Sequence, residues 1–244
     1  MVLRSLLAVA LVVLGRGAVA QQNSISQAGM AAQANLDALV AGSPTVLPRG
    51  GVEGVKGSPY VDNRWLPAYL TLASKVALAP VPLKYDVLNQ RLLMRPVNRP
   101  TDSLELDDKL VVRFELEEPS LEAGGKRRRV FRRFEEAPEP RQRTAYVEVL
   151  HEGRYSLLKR YAKTLRKANN VGAYNTAERY DELEDKSVYY LRQPTGTLVP
   201  VKLSLKALQA AAPDLAPALK ESAAAKAAKT DAEWGAVLNA LDAR

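Results

Sequence analysis

The sequence predicts an α+β protein: a mainly antiparallel β meander that curls into a sandwich or open barrel, followed by C-terminal α-helices. Three observations predict it. Between residues 57 and 203, short β-branched or aromatic runs are separated by turn residues at hairpin distances. LVVRFELEE (110–118) alternates with a period of two. After residue 204 the apolar spacing switches to that of helices and alanine becomes dominant. Strands followed by helices suit an α+β arrangement.

The chain opens MVLRSLLAVALVVLGRGAVAQQ, with Arg4 as a positive start, an apolar run over Leu6–Leu14 and the small-x-small pattern Ala18-Val19-Ala20 before Gln21. This predicts a signal peptide over 1–20, too short in its apolar part to span a bilayer. Residues 21–56, rich in Gln, Ala, Ser and Gly, read as a flexible or partly helical lead-in.

The β-rich domain is expected over 57–203. YLTLAS, VALAP and PLKYDVL have strand composition, and LKYDVLNQRLLMRP suggests a hairpin turning at Leu88-Asn89-Gln90, where Asn tolerates a left-handed backbone. In LVVRFELEE, Leu110, Val112, Phe114 and Leu116 fall on one face and Val111, Arg113, Glu115 and Glu117 on the other. AYVEVLHEG reads as a strand ending in a Glu152-Gly153 turn. In SLLKRYAKTLRK, Leu157, Leu158, Tyr161, Ala162 and Leu165 have helical spacing, but the short preceding turn favours a returning strand over 154–163. KSVYYLRQPTGTLVPVKL is a hairpin around Gln193–Gly196. Residues 204–244 form a helical segment. Ser204 is an N-cap, Pro213 an interruption and Asp214 a cap for LAPALKESAAAKAAK, while Thr230 to Glu233 is a capping box before Trp234, Val237, Leu238 and Leu241 on one face.

KRRRVFRRF (126–134) carries six basic side chains in its first eight positions. It follows an acidic stretch, with Asp102, Glu105, Asp107, Asp108, Glu115, Glu117, Glu118 and Glu122, across a Gly-Gly turn. Pairing of the two strands would set Glu115 and Glu117 near Arg128, Arg129 or Arg132, each opposite-charge pair contributing roughly 0.2–1 kcal/mol. The competing readings are a polyanion site and a solvated surface. Without residues 1–20, which hold Arg4 and Arg16 and no acid, 33 basic side chains face 27 acidic ones. For an exported chain this basicity points to phosphorylated lipids, acidic glycans and anionic surfaces, not nucleic acid.

Composition excludes several chemistries. There is no cysteine, hence no disulfide, thiolate metal site, cysteine nucleophile or lipoprotein anchor. The single histidine, His151, reads as a partly exposed turn residue, since no nucleophile elbow, paired-His spacing, phosphate loop or dinucleotide fingerprint accompanies it. Asp181, Glu182, Glu184 and Asp185 read as a solvated acidic loop lacking the EF-hand pattern. No catalytic, cofactor or metal residue is assigned. The ten tyrosines, interleaved with Arg and Lys, suggest either a recognition surface or half-buried sheet positions. The candidate contact patch is Arg127, Arg129, Arg132, Arg133, Tyr155, Lys159, Tyr161 and Tyr190.

The runs GSPYVDNRWLPAYLTL…VPLKYDVLNQRLLMRP, AYVEVLHEGRYSLLKRYAKTLRKAN and YNTAERYDELEDKSVYYLRQPTGTLVPVKLSLKALQAA together resemble a group of exported proteins of Gram-negative Bacteroidetes. Shared are a signal peptide, a GSPY…W…LKYD opening, an EVL-x-EG turn before a basic strand, and a YYL…G…VKL hairpin leading into helices. The likeness covers about residues 57–212 and leaves the alanine-rich segment after Pro213 outside. It implies a periplasmic or cell-envelope setting and strand for 154–163, and brings no catalytic residues with it. The expected function is a non-enzymatic binding or interaction module for an envelope component or a protein partner. The alternative is a carboxylate-dependent hydrolase of cell-wall or glycan substrates using Glu148, Glu152 or Asp181, which needs two carboxyls about 5–10 Å apart.

Overall fold

The structure is a computed structural model that describes residues 29–41, 45–46, 55–96, 99–120, 125–168 and 180–242. The expected leader with its cleavage site, Glu122, Gly124 and Tyr174 lie outside the described residues.

A helix, α1, spans 29–39. Thirteen strands follow among the described residues: β1 Val55–Lys56, β2 Leu66–Leu72, β3 Val81–Asp86, β4 Arg91–Met94, β5 Leu104–Glu105, β6 Val111–Pro119, β7 Lys126–Arg133, β8 Tyr146–His151, β9 Ser156–Arg160, β10 Lys163–Arg166, β11 Asp181–Asp185, β12 Val188–Arg192 and β13 Leu198–Val201. Helices α2 Leu205–Ala211, α3 Ala216–Glu221, α4 Ala223–Ala227 and α5 Asp231–Asp242 follow. Ten strands make one open antiparallel sheet in the order β13-β12-β9-β8-β7-β6-β2-β3-β4-β5, and β1-β11-β10 make a second. The α+β class with C-terminal helices is what the sequence predicts. Within 154–163 the chain returns as strand over Ser156–Arg160, not as helix.

The lead-in is partly helical, one of its two expected forms, and Leu36 of α1 and Val40 just after it are buried in the main core. Several local expectations are corrected. The register of β6 against β2 shifts at Thr71/Leu72, pairing Leu72 with Val111 and Thr71 with Arg113. This bulge turns Val111 inward beside Phe114 and Leu116, so Leu110 and Val112, expected inside, are exposed. In the β3–β4 turn the left-handed residue is Gln90 (φ 54°), whereas Asn89 uses its amide to hold the Asp86 carboxylate. The acidic segment 181–185 is strand β11, not a loop. It pairs antiparallel with basic β10, where Arg166 binds Glu182 and Glu184.

One face of the large sheet carries most of the core. Phe114 and Phe131 stack at 4.7 Å and 7°, with Tyr85 and Tyr146 edge-on around them. Aromatic pairs of this kind contribute about 0.5–1.5 kcal/mol beyond their buried area. Farther along that face Leu157 and Leu191 meet Leu208, Leu219, Trp234 and Leu238 of the helices. A smaller cluster of Phe134, Ala137, Val147, Leu158 and Tyr190 gathers on the opposite face. Ser204 caps α2 as predicted, and Thr230 and Glu233 exchange the two backbone hydrogen bonds of a capping box at α5. Asp214 caps nothing; it pairs with Arg154. The expected long alanine helix breaks at Ser222, whose hydroxyl caps α4. Edge strand β13 has Pro200 opposite Tyr190, and the other edge, β5, is two residues long.

Candidate functional site

Adjacent strands place one row of side chains straight across the main face: Leu70, Phe114, Phe131, Glu148, Lys159, Tyr189 and Val201 are successive register partners. Residues paired in register share a face. The row therefore runs apolar, then charged, then apolar, and its charged middle divides the α1-side core from the helix-side core.

Glu148 is 2% exposed and fully engaged. Arg129 donates from Nε to Oε1 at 2.8 Å and from Nη2 to Oε2 at 2.9 Å, a bidentate pair. The Tyr161 hydroxyl donates to Glu148 Oε2 at 2.5 Å and accepts from Arg129 Nη2 at 2.7 Å. Burial works against the Arg129 charge, but the hydrogen bonds and charge of Glu148 outweigh it and raise the guanidinium above its ordinary value. Burial, then the Glu148 charge, pushes the Tyr161 phenol well up. Lys159 turns from Glu148 to Asp231 at the start of α5, at 2.6 Å, and Tyr189 donates to the same carboxylate at 2.8 Å. Burial opposes the Lys159 charge, yet the Asp231 partner raises its pKa overall. Toward the N-terminal end of β2 the chain of charges continues through Glu118, which lies 3.8 Å from Arg129, 3.6 Å from Arg127 and 3.7 Å from Arg64.

Four of the eight predicted contact residues, Arg127, Arg129, Lys159 and Tyr161, come together here, facing acids of their own chain. The other four do not join them. Arg132 binds Glu136, and Arg133 lies over the Tyr146 ring at 4.1 Å and donates to the Val111 carbonyl. Tyr155 is buried among the helices, and Tyr190 packs on Phe134 at 5.2 Å on the opposite face. The rest of the arginine run is matched as well: Glu117 opposes Arg128 and Glu118 opposes Arg127 in register, and Lys126 reaches Glu117 at 2.7 Å. Asp231, Tyr189 and Glu118, the last counted above only among the acids of the stretch before the arginine run, were not in the predicted contact patch. Glu118 was detectable, because it continues the phase of Phe114 and Leu116; Asp231 carries no local signal.

His151 is buried, contrary to expectation. Its Nε2 lies 3.0 Å from Asp242 Oδ2, an oxygen that also accepts from the Tyr155 backbone N–H at 2.9 Å. The dyad ties the end of α5 to the β8–β9 turn, at Gly153, where a Cβ would stand 2.3 Å from Asp242 Oδ2. Of the three candidate hydrolytic carboxylates, Glu148 is saturated inside the large sheet, Glu152 is exposed on the turn, and Asp181 sits in the other sheet with its Oδ1 on the Ala168 N–H. Among the described residues no group of three or more His, Asp or Glu side chains could hold a metal ion, and no helix is long and apolar enough to cross a membrane. A cleft of about 340 Å³ opens between α5 and the sheet, lined by Arg113, Leu150, His151, Glu152, Gly235 and Asn239 among others.

Compared with known protein families, characterised proteins and solved structures, the chain matches none.

Proposed function

We propose that this protein is an exported, cell-envelope binding module that holds an envelope component or a protein partner without chemically changing it. The observation that supports this reading is how the reactive side chains are used. Glu148, Lys159 and His151 are each bound to a partner of the same chain and serve to join strands to helices. The cleft beside α5 stays open, with Asn239 and Glu152 exposed at its rim. An open cleft with mixed-polarity walls, whose one histidine is already held by Asp242, suits recognition. The leader pattern and the resemblance of 57–212 to exported proteins supply the setting.

Two measurements test it. Mass spectrometry of the native protein should find Gln21 as its first residue in the envelope fraction. Immobilised protein should retain an envelope component, and Asn239→Trp, which fills the cleft, should weaken that retention by roughly tenfold with an unchanged melting temperature. An intact Met1 on a cytosolic species, or equal retention by Asn239→Trp and the natural chain, overturns the proposal.

A further inference from the structure

On the face opposite the aromatic core, strands β2, β3 and β4 assemble two cations on one indole. Leu66 pairs with Leu83, which sets Trp65 opposite Lys84. The Arg95 N–H donates to the Pro82 carbonyl, which sets Arg95 beside Pro82, two residues from Lys84 and on the same face. Lys84 Nζ lies 5.1 Å from the Trp65 ring centre and 4.7 Å from that of Tyr60, and Arg95 Cζ lies 4.5 Å from the Trp65 ring centre.

Neither cation has a carboxylate within ion-pair distance among the described residues. Several other arginines of the large sheet do have one. Arg91, at the opposite end of β4, takes both Asp86 and Glu105, and the arginines of β7 from Arg127 to Arg129 all face acids. Asp62, the acid whose charge acts on Lys84, is held by Arg64 at 2.7 Å. Arg95 Nε is buried with no hydrogen-bond partner. Burial, then the neighbouring Arg95 charge, lowers the Lys84 pKa, the signature of a cation short of counter-charge. Cation–π contact with Trp65 offsets part of that cost but brings no negative charge.

We propose that Trp65, Lys84 and Arg95 form an oxyanion site that takes a phosphate monoester or free phosphate. Two cations on neighbouring strands call for an anion near −2, which a phosphate monoester supplies at neutral pH and a single carboxylate does not. The site shares no residue with the cleft beside α5 and rests on the proposed function only for the source of the phosphate, an envelope lipid; the affinity for phosphate itself does not depend on export.

The chain has two tryptophans, and Trp234 is buried in the helix-side core, so a change in Trp65 emission reports the site. Inorganic phosphate, titrated at constant ionic strength against chloride, should alter emission and raise the melting temperature. Lys84→Met and Arg95→Met should each weaken the response by roughly tenfold or more. Arg141→Ala, which removes an exposed cation paired with Glu139, should leave it unchanged. Lys84→Met should also melt no lower than the natural chain in anion-free buffer, because it removes an uncompensated charge; Lys84→Gln serves if methionine misfolds. Phosphatidylcholine vesicles carrying phosphatidic acid should bind the natural chain and not the two variants. Phosphate binding without vesicle binding keeps the site and removes the lipid source. No phosphate response in the natural chain, or an equal response in Lys84→Met, overturns the site.

Discussion

Glu148 and Glu115 differ by what surrounds them, and the difference sets the size of their mutational effects. The Glu148 and Arg129 side chains are 3% and 10% exposed, so removing the acid strands a buried guanidinium. Glu148→Ala should cost on the order of 3–5 kcal/mol, read as a shift in the urea midpoint. Tyr161→Phe removes one donor to Glu148 and one acceptor for Arg129 and should cost about 1–3 kcal/mol. Glu115 contacts Arg128, a side chain 52% exposed, at 3.5 Å. Exposed pairs contribute roughly 0–1 kcal/mol, so Glu115→Ala should sit at the low end of the series. A Glu115 effect as large as that of Glu148 would refute the view that the charged row, and not the arginine run as such, stabilises the sheet.

At the scale of elements, α5 is the piece whose placement tests the packing most directly. Trp234, Val237 and Leu238 are buried from it, and Gly235 lets its backbone settle on β8. A Cβ at Gly235 would stand 2.4 Å from the Leu150 carbonyl oxygen. Glycine to alanine in a helix interior ordinarily gains about 1 kcal/mol. Here overpacking reverses the sign, and Gly235→Ala should destabilise by about 1–3 kcal/mol in thermal melts. A stabilised Gly235→Ala would mean that α5 sits farther from the sheet. The elements most legible in the sequence are those with local signals: the β8 and β12–β13 runs, the Ser204 cap, the Thr230–Glu233 box and the apolar face of α5. What escaped depends on distant partners. The β6 bulge arises from its register with β2, and the Asp231–Lys159 pair joins residues 72 apart in sequence. The arginine run and its acids could be read as complementary, but only the register shows that Arg129 turns to Glu148 of the next strand.

Across the whole molecule, the paired titratable groups define a pH window. The Arg64 hydrogen bond holds Asp62 below its ordinary 3.8, and Arg132, outweighing burial, holds Glu136 below 4.5. Lowered carboxyls contribute stability that is present above their ordinary values and lost as pH falls through the folded ones. Tyr161 and Lys159 are raised above 10.0 and 10.5, so their contribution is complete below those values and declines above them. Urea midpoints should stay level between about pH 5 and 9 and fall on both sides. The natural chain should lose more than Tyr161→Phe between about pH 9 and 11, since only the natural chain must keep a buried phenol protonated there; equal losses would place Tyr161 in solvent.

The two margins of the ten-stranded sheet carry one further implication. Pro200 offers no N–H to an incoming strand, and a two-residue β5 offers almost nothing to extend. A sheet this wide would otherwise be a good template for stacking copies side by side into a polymer. With both margins blunted, side-by-side growth of this sheet is disfavoured, and association through it has to use its faces instead of its backbone.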